Sequence, residues 1–194
     1  MYTIKENIKN TLIINKSRFI THLIKVYSVS ECLDNLNSLK EEYKDANHYC
    51  YAYIINGIKR FNDDGEPSGT AGLPILNVLE SSDLNFVLCV VIRYFGGIKL
   101  GAGGLVRAYR KSTTNSLING QKIELVKGKK ISITFKYDNV KVVDKVLEKV
   151  KILEKIFNET IKYTLLIPDN NIDIINEDWN PTFIENVYIE KDNI

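Results

Sequence analysis

At 194 residues the chain is long enough for one large domain, or for one medium and one small domain. Its 44% hydrophobic and 26% charged residues, with 11 Tyr and 7 Phe, supply material for a core and exclude wholesale disorder. A formal charge of +2 does not by itself mark a nucleic-acid binder, and three widely spaced cysteines (Cys32, Cys50, Cys89) without a Cys-x-x-Cys pair exclude a disulfide scaffold or a zinc ribbon and suit a reducing compartment.

In chain order, Met1 to Asn10 lack the uninterrupted apolar stretch of a signal peptide. Ile4–Ile14 and Arg18–Val26 alternate apolar and polar residues and read as a strand pair. Ser28 or Ser30 can cap the helix that follows, on which Val29, Cys32, Leu33, Leu36 and Leu39 recur at helical spacing. Tyr49–Ile55 is aromatic and β-branched, hence a strand; Asn62–Gly72 is a turn-rich loop, and Leu73–Leu79 a short helix with Pro74 in its first turn. Phe86–Phe95 is the clearest strand. Its apolar run, Phe86–Ile92, is far too short to span a bilayer, so the expectation is a soluble, unprocessed, cytoplasmic protein with no membrane partner. From Gly96 the chain passes through a glycine-rich loop into a helix that ends near Ile118. There Val106, Tyr109, Thr113 and Leu117 share one face, and Arg107, Arg110 and Lys111 another.

A boundary is expected near Lys127-Gly128-Lys129-Lys130, giving domains over residues 1–126 and 127–194. Beyond it come a strand (Ile131–Tyr137), a helix opened by Asp138 (Val140–Val150), a strand (Ile156–Ile167), a short acidic segment and a last strand (Phe183–Ile189). That order fits a small ferredoxin-like domain, and the whole chain is expected to be α+β. Charge is polarised along the chain. Between Leu84 and Ile123 there is no acidic residue, whereas Arg93, Lys99, Arg107, Arg110, Lys111 and Lys122 are basic; between Ser28 and Asp83 ten acidic residues face four basic ones.

Two segments can carry chemistry. The first, Asp63 to Gly72, holds Asp63, Asp64 and Glu66 within four residues, followed by Ser68 and Thr70. Three carboxylates can bind a hard cation or act as general bases, but the spacing is not that of an EF-hand. The favoured reading is a tight binding or structural turn, in which Gly65 and Gly69 permit positive φ and Thr70 caps the next helix. The second is the loop with Gly96, Gly97, Lys99, Gly101, Gly103 and Gly104. Glycines between strand and helix let backbone amides approach an anion, with Lys99, Arg93 and Arg107 in support. Close helix–sheet packing is the equal alternative. No Gly-Lys-Ser/Thr closes a Walker loop, and Val106 stands where a dinucleotide fingerprint has its third glycine. His48-x-Cys50 reads as a packed pair rather than a nucleophile or metal site. No Ser-His-Asp order or nucleophile elbow is present, so no catalytic residue, metal or cofactor is assigned.

These two segments, with Lys16-Ser17-Arg18-Phe19-Ile20 and Ala46-x-His48-x-Cys50-x-Ala52-Tyr53, resemble the signatures of the YigZ/IMPACT family over most of residues 1–120. The resemblance implies an N-terminal α/β domain like the second domain of a small-subunit ribosomal protein and domain four of elongation factor G. It also implies a ferredoxin-like C-terminal domain, for whose second helix Pro168–Trp179 is short and rich in Asn and acidic residues. Eukaryotic relatives restrain an amino-acid-starvation kinase through an additional N-terminal domain; the motifs here cover only the shared domain, so kinase regulation is not carried over. The expectation is a non-enzymatic, translation-associated regulator that binds RNA, the ribosome or a translation-linked protein. Its contact surface would comprise Arg93, the glycine loop, Lys99, Arg107, Arg110 and Lys111, with Tyr94 packed at its strand end rather than stacked on a base. The alternative is an enzyme acting on a phosphorylated small molecule, with the acidic loop as metal or base site.

Overall fold

The computed structural model describes residues 1–118 and 120–193 and divides into two compact units, Met1–Lys122 and Ile123–Ile194. Both mix helices with antiparallel sheet, an α+β architecture.

The first unit is built on a five-stranded sheet in the order β2-β3-β6-β4-β5, formed by Ile8–Ile14, Ser17–Lys25, Val87–Tyr94, His48–Ile55 and Ile58–Asn62. Every neighbouring pair is antiparallel. The β2–β3 turn places Asn15 and Lys16 at φ of 45° and 63°, the left-handed geometry whose twist matches a tight hairpin. The expected strand from Ile4 is broken in two: a short β1 (Tyr2–Ile4) precedes β2, and Tyr2 bonds to the backbone of Asp83 and Asn85 instead. β5, not foreseen in the sequence, follows a second tight turn at Asn56-Gly57. All five of its residues are exposed, so it lacks the burial pattern that marks a strand.

Strand β6 lies at the centre, and its unbroken apolar run is explained by cover on both faces. Val87, Cys89 and Val91 face one side, against Ile75, Leu76 and Leu79 of α2 (Gly72–Ser81) and Leu105, Ala108 and Tyr109 of α3 (Gly101–Ile118). Leu88, Val90 and Ile92 face the other, against Cys32, Leu36 and Leu39 of α1 (Val29–Glu42). Ser28 caps α1, its Oγ accepting from the Glu31 amide at 3.2 Å. The buried stripe of α1 is narrower than the spacing suggests, since Val29 and Leu33 are exposed.

The second unit contains β7 (Lys122–Phe135), α4 (Val140–Val146), β8 (Lys151–Phe157), β9 (Ile161–Pro168) and β10 (Thr182–Glu190). Its sheet runs β10-β7-β9-β8, antiparallel throughout. Residue 126 and the basic stretch Lys127–Lys130 lie inside β7 rather than in a linker. Gly128 is enclosed there: a Cβ would come within 2.5 Å of both the Ile167 carbonyl oxygen and the Ile189 side chain. The expected strand Ile156–Ile167 is a hairpin that turns at Asn158–Thr160, and the helix stops at Val146 instead of Val150. Between β9 and β10 two 3₁₀ turns, Asp169–Ile174 and Glu177–Trp179, stand where a second helix was implied, and Trp179 anchors them in the core.

Candidate functional site

Segment Asp63–Gly72 links β5 to α2 and lies across β4 and α3. Its carboxylates are engaged within the fold. Asp63 accepts from the amides of Gly69 (2.8 Å), Ala71 (3.0 Å) and Gly72 (2.8 Å), so Asp63 satisfies the N-terminus of α2 from outside the helix. Thr70, expected as that cap, instead donates its hydroxyl to the Pro67 carbonyl at 2.6 Å. Asp64 accepts from the Tyr49 amide at 2.6 Å, and its carbonyl receives His48 Nδ1 at 2.8 Å. Ser68 is exposed at the tip of the loop.

Glu66 is buried. Its Oε1 lies 2.6 Å from Arg93 Nη1 and accepts from the Tyr109 hydroxyl at 2.8 Å, while Oε2 is 4.0 Å from His48 Nε2. Arg93 is 5% exposed, its guanidinium beside the rings of Phe19 and Phe95, with Nη2 3.4 Å from Ser17 Oγ. Arg93, expected on a contact surface, lies inside, paired across 27 residues. Burial drives the Tyr109 hydroxyl pKa upward, with Cys50 and Glu66 adding to the effect, so Tyr109 stays protonated and donates. Among the described residues no group of three His, Cys, Asp or Glu side chains is placed to hold a metal ion.

His48 and Cys50 face the same loop from β4. The Cys50 thiol donates toward the Asp63 carbonyl at 3.0 Å and lies 3.3 Å from the Tyr109 hydroxyl, fully buried. Burial raises its pKa, and pushes Cys32 and Cys89 up to about 12. A raised thiol pKa lowers the thiolate fraction at any pH below it. Iodoacetamide at pH 8 should therefore label none of the three cysteines in the folded protein and all three in guanidinium, as read by mass; labelling of the native chain would contradict this burial.

The glycine loop divides. Gly96 and Gly97 precede α3, whereas Gly101, Gly103 and Gly104 form its first turn. Gly97 and Gly101 occupy left-handed φ of 83° and 68°. At Gly96 the reason is proximity: a Cβ would overlap the Lys16 carbonyl in the β2–β3 turn, and the Gly96 amide donates to Ser17 Oγ at 3.1 Å. Tyr94 is half-buried under the Arg18 guanidinium, 4.3 Å from its ring centroid.

Lys99 in this loop and Arg107, Arg110 and Lys111 on α3 are exposed, and none is ion-paired among the described residues. Arg107 and Lys111 line a groove of about 320 Å³ with Ile14, Asn15, Leu100 and Ala108. A second cavity, of about 280 Å³, lies at the start of α3 between Glu66, Pro67, Arg93, Phe95, Lys99 and Leu105. Ser17 and Tyr109 are polar partners that the sequence does not announce as such. Tyr109 falls on an apolar helical stripe, and no local signal sets its hydroxyl apart; Ser17 had one, its place in Lys16–Ile20.

The first unit is thus α-β-α layered, with a buried ion pair beneath an acidic loop and an open basic helix. The sequence profile of the Impact N-terminal domain matches residues 15–117, spanning both segments, and the chain belongs to the IMPACT family. IMPACT family member YvyE of Bacillus subtilis is 49% identical over 119 residues, which is 60% of this chain and 55% of that protein. An IMPACT family member of Haemophilus influenzae is 35% identical over 167 residues, covering 82% of this chain and 81% of its own length. A crystal structure of a hypothetical protein aligns over 89% of this chain and 87% of its own, with 28% identity and a TM-score of 0.69, in keeping with the α+β fold.

Proposed function

We propose that this protein is a translation-associated regulator that holds an RNA phosphate backbone, ribosomal RNA included, along the exposed face of α3. One observation carries the reading. Arg107, Arg110 and Lys111 stand exposed and without ion-pair partners among the described residues, on a helix inside a stretch free of acidic side chains. Phosphate contacts from such residues give affinity that is sequence-independent and steeply salt-dependent. Lys99 and the groove beside Arg107 and Lys111 extend the surface toward the β2–β3 turn.

Asp63, Asp64 and Glu66 are all engaged internally. That supports binding rather than catalysis, and removes support from the acidic loop as a metal site or a base. The likeness of the first unit to the ribosomal-protein and elongation-factor domains belongs to the same proposal, supported at the level of its α+β architecture. Strand order β10-β7-β9-β8 supports a ferredoxin-like reading of the second unit. A cytoplasmic location belongs to the same proposal, supported by three buried free thiols. No helix among the described residues is long and apolar enough to cross a membrane.

The test is co-sedimentation with ribosomes and filter binding to single-stranded RNA across a salt series, for the wild type and the Arg107→Ala/Arg110→Ala/Lys111→Ala variant. The triple variant should bind about tenfold or more weakly, with the slope of log K against log salt reduced by about 2. Unchanged binding would overturn the assignment. Co-sedimentation that persists unaltered from about 50 mM to 500 mM salt would point to a translation-linked protein as the partner instead.

A further inference from the structure

The second unit carries the reverse polarity of α3. From Tyr163 to Glu190 the chain has six acidic residues and no basic one. Asp169 and Asp173 lie on the first 3₁₀ turn after β9, and Glu177 and Asp178 on the second. All four are exposed, and none is ion-paired among the described residues. Unpaired charges of one sign along one segment attract a partner of the other sign and repel nucleic acid.

The first of these turns also walls a cavity. Ile172 and Ile175 line it with Ile131 of β7, Pro181 and Phe183, around a volume of about 490 Å³. That is larger than either cavity beside α3. Phe183 is 56% exposed, so apolar surface here opens to solvent instead of closing into the core. The acidic residues flank these walls in the chain: Asp173 adjoins Ile172, and Glu177 follows Ile175 by two residues. One charge lines the cavity itself, the half-buried Lys129, which has no ion-pair partner among the described residues.

This arrangement selects the occupant. Lys129 disfavours a cation inside the cavity, where the walls suit a large apolar group. The carboxylates outside it favour several positive charges, spaced as they are from Asp169 to Asp178. A small organic cation meets only part of that demand; a stretch of polypeptide meets both. We infer that this face of the second unit docks an extended basic segment of a partner protein. One large apolar side chain of that segment fills the cavity, and its Lys or Arg residues lie against Asp169, Asp173, Glu177 and Asp178. The inference stands apart from the RNA reading, because it uses no residue of the first unit and its carboxylates repel a phosphate backbone.

The test is fluorescence anisotropy of a labelled peptide, Gly-Arg-Arg-Leu-Arg-Arg-Gly, titrated with the full chain. Replacing its Leu by Ser keeps the charge without the anchor, and replacing its Arg residues by Gln keeps the anchor without the charge. Each change should weaken binding by about tenfold or more. Asp169→Asn/Asp173→Asn/Glu177→Gln/Asp178→Asn alters exposed positions only, so this variant should fold normally. It should bind the peptide about five- to tenfold more weakly, with a flatter salt dependence. Phe183→Ser should weaken binding by about threefold or more while keeping the salt dependence. Spermidine, which has charge without an anchor, should compete poorly. The inference is overturned by equal affinity for the Leu and Ser peptides, by full affinity in the neutralised variant, or by no saturation up to about 1 mM protein. Spermidine competing as well as unlabelled peptide would also overturn it. So would a wild-type dimer in light scattering that the neutralised variant splits, which would assign the face to a second copy. The Arg107→Ala/Arg110→Ala/Lys111→Ala variant should bind the peptide like the wild type whatever happens to RNA; losing the peptide there would overturn its placement on the second unit.

Discussion

Glu66→Ala should lower the stability of the first unit by about 3–5 kcal/mol, the range for removing one partner of a buried ion pair. Arg93 would then keep its charge in an interior site beside Phe19, and the Tyr109 hydroxyl would lose its acceptor. The gain from the pair itself is not the source of so large an effect; it is the charge left behind without a partner. For a unit of this size the midpoint of thermal unfolding should fall by about 10 °C or more, read by circular dichroism. Glu66→Gln keeps an acceptor for Tyr109 and should fall between the two. Glu66→Leu with Arg93→Met removes both charges and should recover most of the loss. A midpoint for Glu66→Ala within about 2 °C of the wild type would contradict the burial of this pair.

Asp63→Ala should have the second-largest effect. One carboxylate serves three amides here, and hydrogen bonds to a charged acceptor contribute about 1.5–3 kcal/mol each, less than additively. A total loss of about 3 kcal/mol is expected. The pattern is as informative as the size. Amide hydrogen exchange should accelerate at Gly69, Ala71 and Gly72 while α3 keeps its protection. Asp63→Asn preserves the oxygen that serves Ala71 and Gly72 but sets an amide group against Gly69, so about half the effect should remain. Asp64→Asn, by contrast, should leave the fold intact: Asp64 sits at φ of 42°, which Asn tolerates well, and Asn retains an acceptor for the Tyr49 amide.

The residues that define the family were visible in the sequence, but the reasons for them were only partly so. Strand β6 and helices α1 and α3 declared themselves through periodicity, because burial imposes it. β5 did not, since an edge strand exposed along its length has no hydrophobic period to read. The β8–β9 hairpin was hidden for a related reason: β8 is almost wholly exposed, and its last residues, Ile156 and Phe157, read as the start of β9. In the candidate site, local spacing identified Asp63, Asp64 and Glu66 as a cluster and suggested shared chemistry. Their destinations differ because Asp63 meets a helix start, Asp64 meets β4, and Glu66 meets a side chain from the sheet centre. Only tertiary folding brings Arg93 and Tyr109 to Glu66, 27 and 43 residues away. Gly96 illustrates the limit most clearly. Its place between strand and helix suggested a ligand, whereas the group it admits is the carbonyl of Lys16, 80 residues earlier.

The position of β6 also sets the order of events during synthesis. Two hairpins, β2–β3 and β4–β5, leave the ribosome first and can form from local contacts alone. Each then has one inner strand, β3 or β4, whose free edge awaits a partner that emerges about 30 residues after β5. Until β6 inserts between them, neither hairpin belongs to a sheet. Such non-local closure is slow, and open edges at that stage are where nascent chains associate wrongly. The same strand that is buried on both faces in the finished unit is therefore the step on which its folding waits.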